Sequence, residues 1–308
     1  MERKIYDMII VGGGPGGYAA ALYAVRAGLN TLVLEKFSPG GQLALTHQID
    51  NYPGFSEGID GFALADQMKR QAERFGAVTQ IAEVVGVDLQ AMPKIIQTAN
   101  KTLLARTVVL ATGAEPRTLG LAKEQEFVGH GVAYCASCDG MFYRGKTVVV
   151  VGGGNTAAED ALLLSRIAKK VILVHRRDRL RATKVYHEPL KNVENIVFCW
   201  DSAVAALLGD EKITGVKLKN LKTGEERRIV CDGVFVSIGR NPATGFLQGR
   251  IPLDEAGYVV AGEDTRTEIP GVYAVGDLRT KQLRQVVTAV ADGAMAVYNA
   301  EAYLTTVV

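Results

Sequence analysis

Asp7-Met8-Ile9-Ile10-Val11-Gly12-Gly13-Gly14 decides the fold, because 140 residues later the pattern returns as Thr147-Val148-Val149-Val150-Val151-Gly152-Gly153-Gly154. Each copy is a short apolar run that ends in glycines. Each then passes into a segment of helical period, Tyr18 to Ala27 in the first and Ala157 to Ile167 in the second. A further apolar strand follows each helix, Asn30-Thr31-Leu32-Val33-Leu34 and Lys170-Val171-Ile172-Leu173-Val174. A βαβ unit that occurs twice predicts an α/β protein with two Rossmann-like dinucleotide-binding domains.

The small residues of the fingerprint are Gly12, Gly14 and Gly17 in the first copy, and Gly152, Gly154 and Ala157 in the second. The first permits a tight turn, the second lets backbone approach a pyrophosphate, and the third lets helix pack on strand. The pyrophosphate then lies over a helix N-terminus, where free N–H groups and the macrodipole favour negative charge. A glycine-rich turn that binds nothing is the alternative for a lone motif; two copies in full strand–turn–helix–strand context argue against it.

The residue that ends the second strand separates the ligands. In the first copy it is Glu35, suited to a ribose 2′-hydroxyl and hostile to a 2′-phosphate. In the second it is His175, followed by Arg176 and Arg177, with Arg179 and Arg181 close behind. Guanidinium groups clamp phosphate bidentately, so this cluster reads as a 2′-phosphate site. The first module is expected to hold FAD or NAD, and the second NADP.

Two glycine- and proline-marked breaks divide the chain, Ala111-Thr112-Gly113-Ala114-Glu115-Pro116 and Ser237-Ile238-Gly239-Arg240-Asn241-Pro242-Ala243-Thr244-Gly245. Beyond the second, Gly271-Val272-Tyr273-Ala274-Val275-Gly276-Asp277 reads as a strand ending in an acid at a turn, and Arg284-Gln285-Val286 opens an apolar helix through Tyr298. The simplest layout inserts the second domain into a discontinuous first one. The expected bounds are 1–114 with 246–308 for the first domain and 115–245 for the second.

Cys135-Ala136-Ser137-Cys138 stands just upstream of the second fingerprint. A structural zinc needs four ligands. The remaining candidates, Cys199, Cys231, His47, His130, His175 and His187, form no second close pair, so no metal is expected. A redox dithiol needs only these two sulfurs. Asp139 follows directly and has two open roles, proton donor or acceptor for a thiolate, or cap of the turn with Gly140. Cys199 and Cys231 stand alone beside apolar runs and read as buried thiols.

The bulk numbers agree with an enzyme of this kind. Of 308 residues, 48% are hydrophobic and 22% charged, as in a globular protein. A net charge of +2 gives no global field for nucleic acid or an anionic membrane. Neither a signal-peptide pattern nor a membrane-length apolar stretch is present, so a cytoplasmic location is expected, where a CxxC is more often catalytic than a structural staple.

Jointly, these motifs resemble the low-molecular-weight thioredoxin reductases over essentially the whole chain. The matching stretches are Gly12-x-Gly14-x-x-Gly17, Ala111-Thr112-Gly113, Cys135-Ala136-Ser137-Cys138-Asp139, Gly152-Gly153-Gly154-Asn155-Thr156-Ala157, His175-Arg176-Arg177, Gly276-Asp277 and Arg284-Gln285. The resemblance implies a homodimer, with FAD on the discontinuous domain and NADPH on the inserted one. It also implies that Cys138 faces the flavin, Cys135 attacks thioredoxin's disulfide, and Asp139 handles the proton. Asp277 matches a residue near the ribityl chain and Arg284-Gln285-Val286 a segment near the isoalloxazine, while Asn51 lies where the family also contacts flavin. Asn155, Thr156 and Arg181 belong by the same match to the NADPH set. Ser137 replaces the usual threonine and keeps its hydroxyl; Leu180 replaces the usual phenylalanine, with Arg181 retained. The implied reaction passes hydride from NADPH to FAD, then electrons to the Cys135–Cys138 disulfide, then to thioredoxin by exchange. The alternative is a related reductase that serves a peroxiredoxin or a glutaredoxin-like partner.

Overall fold

The computed structural model describes residues 4–46 and 48–307. From the N-terminus, β1 (Ile5–Val11), α1 (Pro15–Arg26) and β2 (Thr31–Glu35) form the first βαβ unit. After α2 (Gly61–Arg74) come β3 (Val78–Ile81), β4 (Val84–Asp88), β5 (Lys94–Thr98) and β6 (Thr102–Leu110). The chain leaves through β7 (Ala114–Pro116) and builds β8 (Val132–Ala133), the one-turn α3 (Ala136–Asp139), β9 (Thr147–Val151), α4 (Asn155–Ser165) and β10 (Lys170–Val174). Next are α5 (His187–Lys191), β11 (Ile196–Cys199), β12 (Ser202–Gly209), β13 (Ile213–Asn220), β14 (Glu226–Val230) and β15 (Gly233–Val236). It returns through β16 (Arg240–Pro242) and ends in β17 (Val272–Ala274) and α6 (Val286–Leu304).

Two compact units result, one comprising residues through Glu115 together with those from Asn241 on, the other Pro116–Arg240. The two crossings, β7 and β16, pair with each other as a two-stranded ribbon. The second division falls ahead of the break marked by Gly245, because the segment after β16 is bonded into the first unit. Ala243 N–H donates to the Gly113 carbonyl (3.0 Å), and the Thr112 hydroxyl donates to the Ala243 carbonyl (2.8 Å).

In the first unit the sheet runs β3-β2-β1-β6-β5-β4, with β17 also on β6. β6 serves two neighbours along one edge. Its start pairs antiparallel with β5, and Val108–Leu110 pair in parallel with β17. Thus the C-terminal segment completes the N-terminal sheet. Ile9, Val11 and Leu34 pack on one face, while Met8, Ile10 and Val33 pack on the other with the small residues of α1 and α6. Both faces are covered, which explains the unbroken apolar runs where alternation would mark a half-exposed strand.

The second unit repeats the plan with a parallel sheet, β11-β10-β9-β15-β8, beside an antiparallel one, β12-β13-β14. In β9 all four valines are buried, two on each face. Each fully buried valine contributes roughly 1.5–3 kcal/mol relative to an exposed one. The helices start earlier than apolar periodicity indicates. α1 begins at Pro15, whose missing N–H costs nothing at a first helical position, and α4 begins at Asn155. α6 begins at Val286 and runs past Tyr298 to Leu304. No helix among the described residues is long and apolar enough to cross a membrane.

Candidate active site

In the first unit the turn after β1 is built by exclusion. Gly12 has φ +107°, and a Cβ there would lie 2.4 Å from the Ala111 carbonyl oxygen. A Cβ on Gly17 would lie 2.0 Å from the Gly12 carbonyl oxygen, so α1 presses against the turn. Gly14 differs, since a Cβ there would meet nothing within 4 Å. It is the N-cap of α1 and supplies no side-chain capping bond. An open helix N-terminus beside a residue without a side chain fits a dinucleotide pyrophosphate. Glu35, at the end of β2, accepts the Gly13 N–H (2.7 Å) on one oxygen and the Lys36 N–H (2.8 Å) on the other. Its remaining lone pairs suit ribose hydroxyls.

Distant segments converge on this turn. A Cβ on Gly16 would meet the Ala289 carbonyl oxygen of α6 at 3.1 Å and Val275 at 3.2 Å, placing the strand end before Gly276-Asp277 beside α1. Gln285 caps α6 in a reciprocal pair with Thr288, and its side-chain oxygen accepts the Asn51 carboxamide N–H at 3.0 Å. Arg284, just before that cap, lays its guanidinium over the Tyr258 ring at 4.2 Å, and its Nε is buried without a partner. Asp277 is half-buried in the short turn Gly276–Leu278, and Gly113 has φ +69° after β6.

Two contributors escape the sequence reading. The Gly40 N–H donates to the Gly13 carbonyl at 2.8 Å, so the Gly40-Gly41 loop closes over the turn; the adjacent glycines after β2 were the available signal. The other is Asp292, buried on α6. Its carboxylate accepts the Gly276 N–H (2.8 Å), both the Nε (2.9 Å) and Nη2 (2.8 Å) of Arg279, and Lys281 Nζ (2.8 Å). Burial alone would push this carboxyl up, but bonds from Arg279 and Lys281 hold it below the usual range. Nothing in a linear pattern marks Asp292, because its partners lie 11 to 16 residues before it, outside α6.

In the second unit the turn after β9 follows the same geometry. Gly152 has φ +153°, and a Cβ there would lie 2.3 Å from the Ser237 carbonyl oxygen, the counterpart of Ala111. Gly154 caps α4 with open space where a side chain would be, again the cradle a pyrophosphate needs, and Ala157 packs buried behind it. Asn155 is engaged locally: its Oδ1 accepts the Thr183 N–H at 2.8 Å. The Gly153 carbonyl accepts the N–H groups of Arg181 (2.7 Å) and Ala182 (3.0 Å), binding the basic loop to the turn. Thr156 is exposed beside it.

His175 departs from the phosphate-ligand picture. It is only 4% exposed, and its ring occupies the space where a Gly153 side chain would be. Trp200 meets it edge-on at 6.4 Å. Burial, and then Arg181, Arg177 and Arg176, push its pKa down, so the ring is neutral at pH 7. The side chains of Arg176, Arg177 and Arg181 are exposed around it. In this arrangement the arginines carry the charge and the histidine sets the shape beneath them.

Cys135 and Cys138 form a disulfide, with Cα atoms 5.3 Å apart. Cys135 is the N-cap of α3, and its carbonyl accepts the Asp139 N–H at 3.0 Å. Cys135 Sγ lies 3.4 Å from Ser137 Oγ. Asp139 is half-buried, and desolvation pushes its carboxyl up to about 6. A group near neutrality beside a dithiol suits proton transfer. Cys199 and Cys231 are buried and unbonded to each other, and burial pushes the Cys231 thiol up to about 12, which suppresses the thiolate. No cluster of three metal-ligating residues occurs among the described residues, and His47 lies outside them.

Comparisons with known proteins agree with this geometry. Residues 6–293 match the family described as pyridine nucleotide-disulphide oxidoreductase. A thioredoxin reductase of Treponema pallidum is 45% identical over 98% of both chains, and one of Listeria monocytogenes is 44% identical over 98% of this chain and 95% of its own. Among solved structures, the thioredoxin reductase of Streptococcus pyogenes superposes with a TM-score of 0.93 at 40% identity, covering 99% of this chain and 100% of its own. That of Giardia duodenalis gives 0.93 at 37% identity, with the same coverage. The paired nucleotide turns, the disulfide and these likenesses together establish that the chain belongs to the thioredoxin reductases of the pyridine nucleotide-disulphide oxidoreductase family.

Proposed function

We propose that this chain is an NADPH-dependent thioredoxin-disulfide reductase that uses FAD and works through Cys135 and Cys138. The observation that carries the reading is the Cys135–Cys138 disulfide beside an acid held near neutrality, on the unit with the basic nucleotide turn. When bound, FAD supplies acceptance of a hydride from NADPH and two-electron reduction of a disulfide. Gly12, Gly14, Gly17, Glu35, Asn51, Gly113, Gly276, Asp277, Arg284, Gln285 and Val286 are the residues we assign to FAD. To NADPH we assign Gly152, Gly154, Asn155, Thr156, Ala157, His175, Arg176, Arg177 and Arg181. Within that second set, Asn155 and His175 shape the turn, and the three arginines meet the 2′-phosphate.

In the exchange, the Cys135 thiolate attacks thioredoxin's disulfide and forms a mixed disulfide, expelling one thioredoxin sulfur as a thiolate. The Cys138 thiolate then attacks Cys135 Sγ, which restores the intramolecular disulfide and releases the second sulfur. Asp139 accepts the proton that frees the Cys138 thiolate and returns it to a leaving sulfur. We assign the active form as a homodimer, supported by the exposed apolar side chains Tyr23, Phe62, Met295 and Tyr298 on α1, α2 and α6. A cytoplasmic location follows as part of the same proposal, since a dithiol donor is useful where thiols are kept reduced.

The direct test is steady-state kinetics with purified FAD-loaded protein. NADPH oxidation is expected to require oxidised thioredoxin, with one dithiol formed per NADPH consumed. Consumption that ignores thioredoxin would overturn the assignment.

Asp139 gives a separate test. Its carboxyl is raised to about 6 by burial, so folding favours the protonated form. Stability therefore falls as pH rises from about 4 to about 6, and the cost is fully present above that window. Asp139→Asn is expected to stabilise the protein above pH 6 by on the order of 1–3 kcal/mol. It should also remove an inflection near pH 6 from the pH–rate profile of thioredoxin reduction. Thermal melts and rate profiles between pH 4.5 and 8.5 check both; an unchanged profile removes Asp139 from proton transfer.

A further inference from the structure

Cys135 sits between two weak supports. The strand before it, β8, has two residues and lies at the edge of its sheet, paired with β15 through Val132–Val234 and Ala133–Phe235, while Val132 also bridges Val128 in the turn just before it. After it comes α3, a single helical turn. Neither a two-residue strand nor one turn of helix holds backbone firmly by itself. Between them stands Tyr134, whose ring packs on the cluster containing Phe127 and Val132.

The phenol of Tyr134 donates to Glu124 Oε1 at 2.8 Å. Glu124 is only 3% exposed, and backbone holds it from three sides. Its Oε1 also accepts the Leu119 N–H (2.8 Å), and Oε2 accepts those of Gly120 (2.9 Å) and Leu121 (3.2 Å). Four bonds use the acceptor capacity of a carboxylate, so the group has one orientation and the phenol one partner. Burial, and then the bond and charge of Glu124, push the Tyr134 pKa up, so the phenol stays a donor through any working pH.

We propose that Tyr134, clamped by Glu124, is a positioning residue for Cys135, and that the clamp governs how readily Cys135 and Cys138 close into a disulfide. The proposal rests on the reading that this pair is the redox-active one. Closure converts two thiols into one disulfide and gives up two electrons and two protons, and its equilibrium depends on how well the two sulfurs are held together. A clamp on the residue before Cys135 removes backbone freedom from the dithiol state, where no S–S bond restrains it. Releasing that clamp makes closure less favourable and favours the dithiol.

Tyr134→Phe deletes one hydroxyl and leaves the ring and the three amide bonds to Glu124. The test equilibrates the FAD-loaded protein with dithiothreitol buffers of graded oxidised-to-reduced ratio, so that the buffer supplies and takes the electrons. Free thiols are then trapped by alkylation, and the peptide carrying Cys135 and Cys138 is quantified by mass. A three- to tenfold shift toward the dithiol is expected; the tenfold limit corresponds to about 30 mV more positive. Glu124→Gln weakens the same bond from the other partner and shifts the equilibrium in the same direction, so one poorly folding variant leaves the other decisive. FAD content and bleaching of the flavin by NADPH remain at wild-type values.

If the bond only stabilised the domain, the melting temperature would fall while the dithiol equilibrium stayed at the wild-type value, and that result overturns the proposal. The equilibrium is measured without thioredoxin. A wild-type protein that fails to reduce thioredoxin would therefore count against the assigned function and leave the clamp to be decided by its own measurement.

Discussion

Cys138→Ser is expected to abolish thioredoxin reduction while leaving the earlier half of the reaction intact. NADPH added to the variant still bleaches the flavin absorbance, because the residues assigned to both nucleotides lie outside the dithiol. Turnover with thioredoxin falls by at least about a thousandfold, since a lone Cys135 can form a mixed disulfide but has no neighbouring sulfur to resolve it. The disulfide pairs Cys135 with Cys138 directly, and Cys199 and Cys231 are buried, so no other sulfur is placed to substitute. The measurement combines anaerobic flavin titration with a coupled thioredoxin assay. Retention of more than a few per cent of activity would refute Cys138 as the resolving sulfur.

The second large effect belongs to the basic loop. Arg176→Ala and Arg177→Ala are each expected to raise the KM for NADPH by roughly 10–100-fold, from the loss of a charge-assisted phosphate bond of about 1.5–3 kcal/mol. The KM for NADH, which lacks the 2′-phosphate, should stay within about twofold, and kcat with NADPH should change little. This split follows from the structure of the loop. The backbone of Arg181 and Ala182 is bonded to Gly153, and His175 fills the space beneath, so removing an exposed guanidinium leaves the turn itself in place. Added salt should weaken NADPH binding more than NADH binding. An equal rise in both KM values would make the arginines structural.

Much of the site is legible in a linear reading because it is local. A βα turn that must bring backbone close to a ligand needs small residues at set spacing, and Gly12, Gly14 and Gly17 display that need in six positions. The dithiol is equally local, since a single helical turn separates Cys135 from Cys138. His175 shows where locality misleads. Its place at the end of β10 and its neighbours Arg176 and Arg177 mark it as a ligand, yet burial against Gly153 and Trp200 makes it neutral and turns it into packing. Asn155 likewise spends its side-chain oxygen on Thr183.

Sequence by itself determined that this protein has two nucleotide modules, that arginines cluster beside the second, and that a dithiol belongs to the second. Each of those properties resides in residues a few positions apart, where backbone geometry alone sets the requirement. Tertiary structure decided which groups hold those motifs in place. Asp292 under Gly276, the Gly40-Gly41 loop over Gly13, Asn51 on Gln285 and Glu124 behind Tyr134 are all contacts whose partners come from different elements. Their physical basis is burial: a carboxylate such as Asp292 or Glu124 is stable inside only when folding delivers enough donors to it. Chain spacing does not encode that delivery.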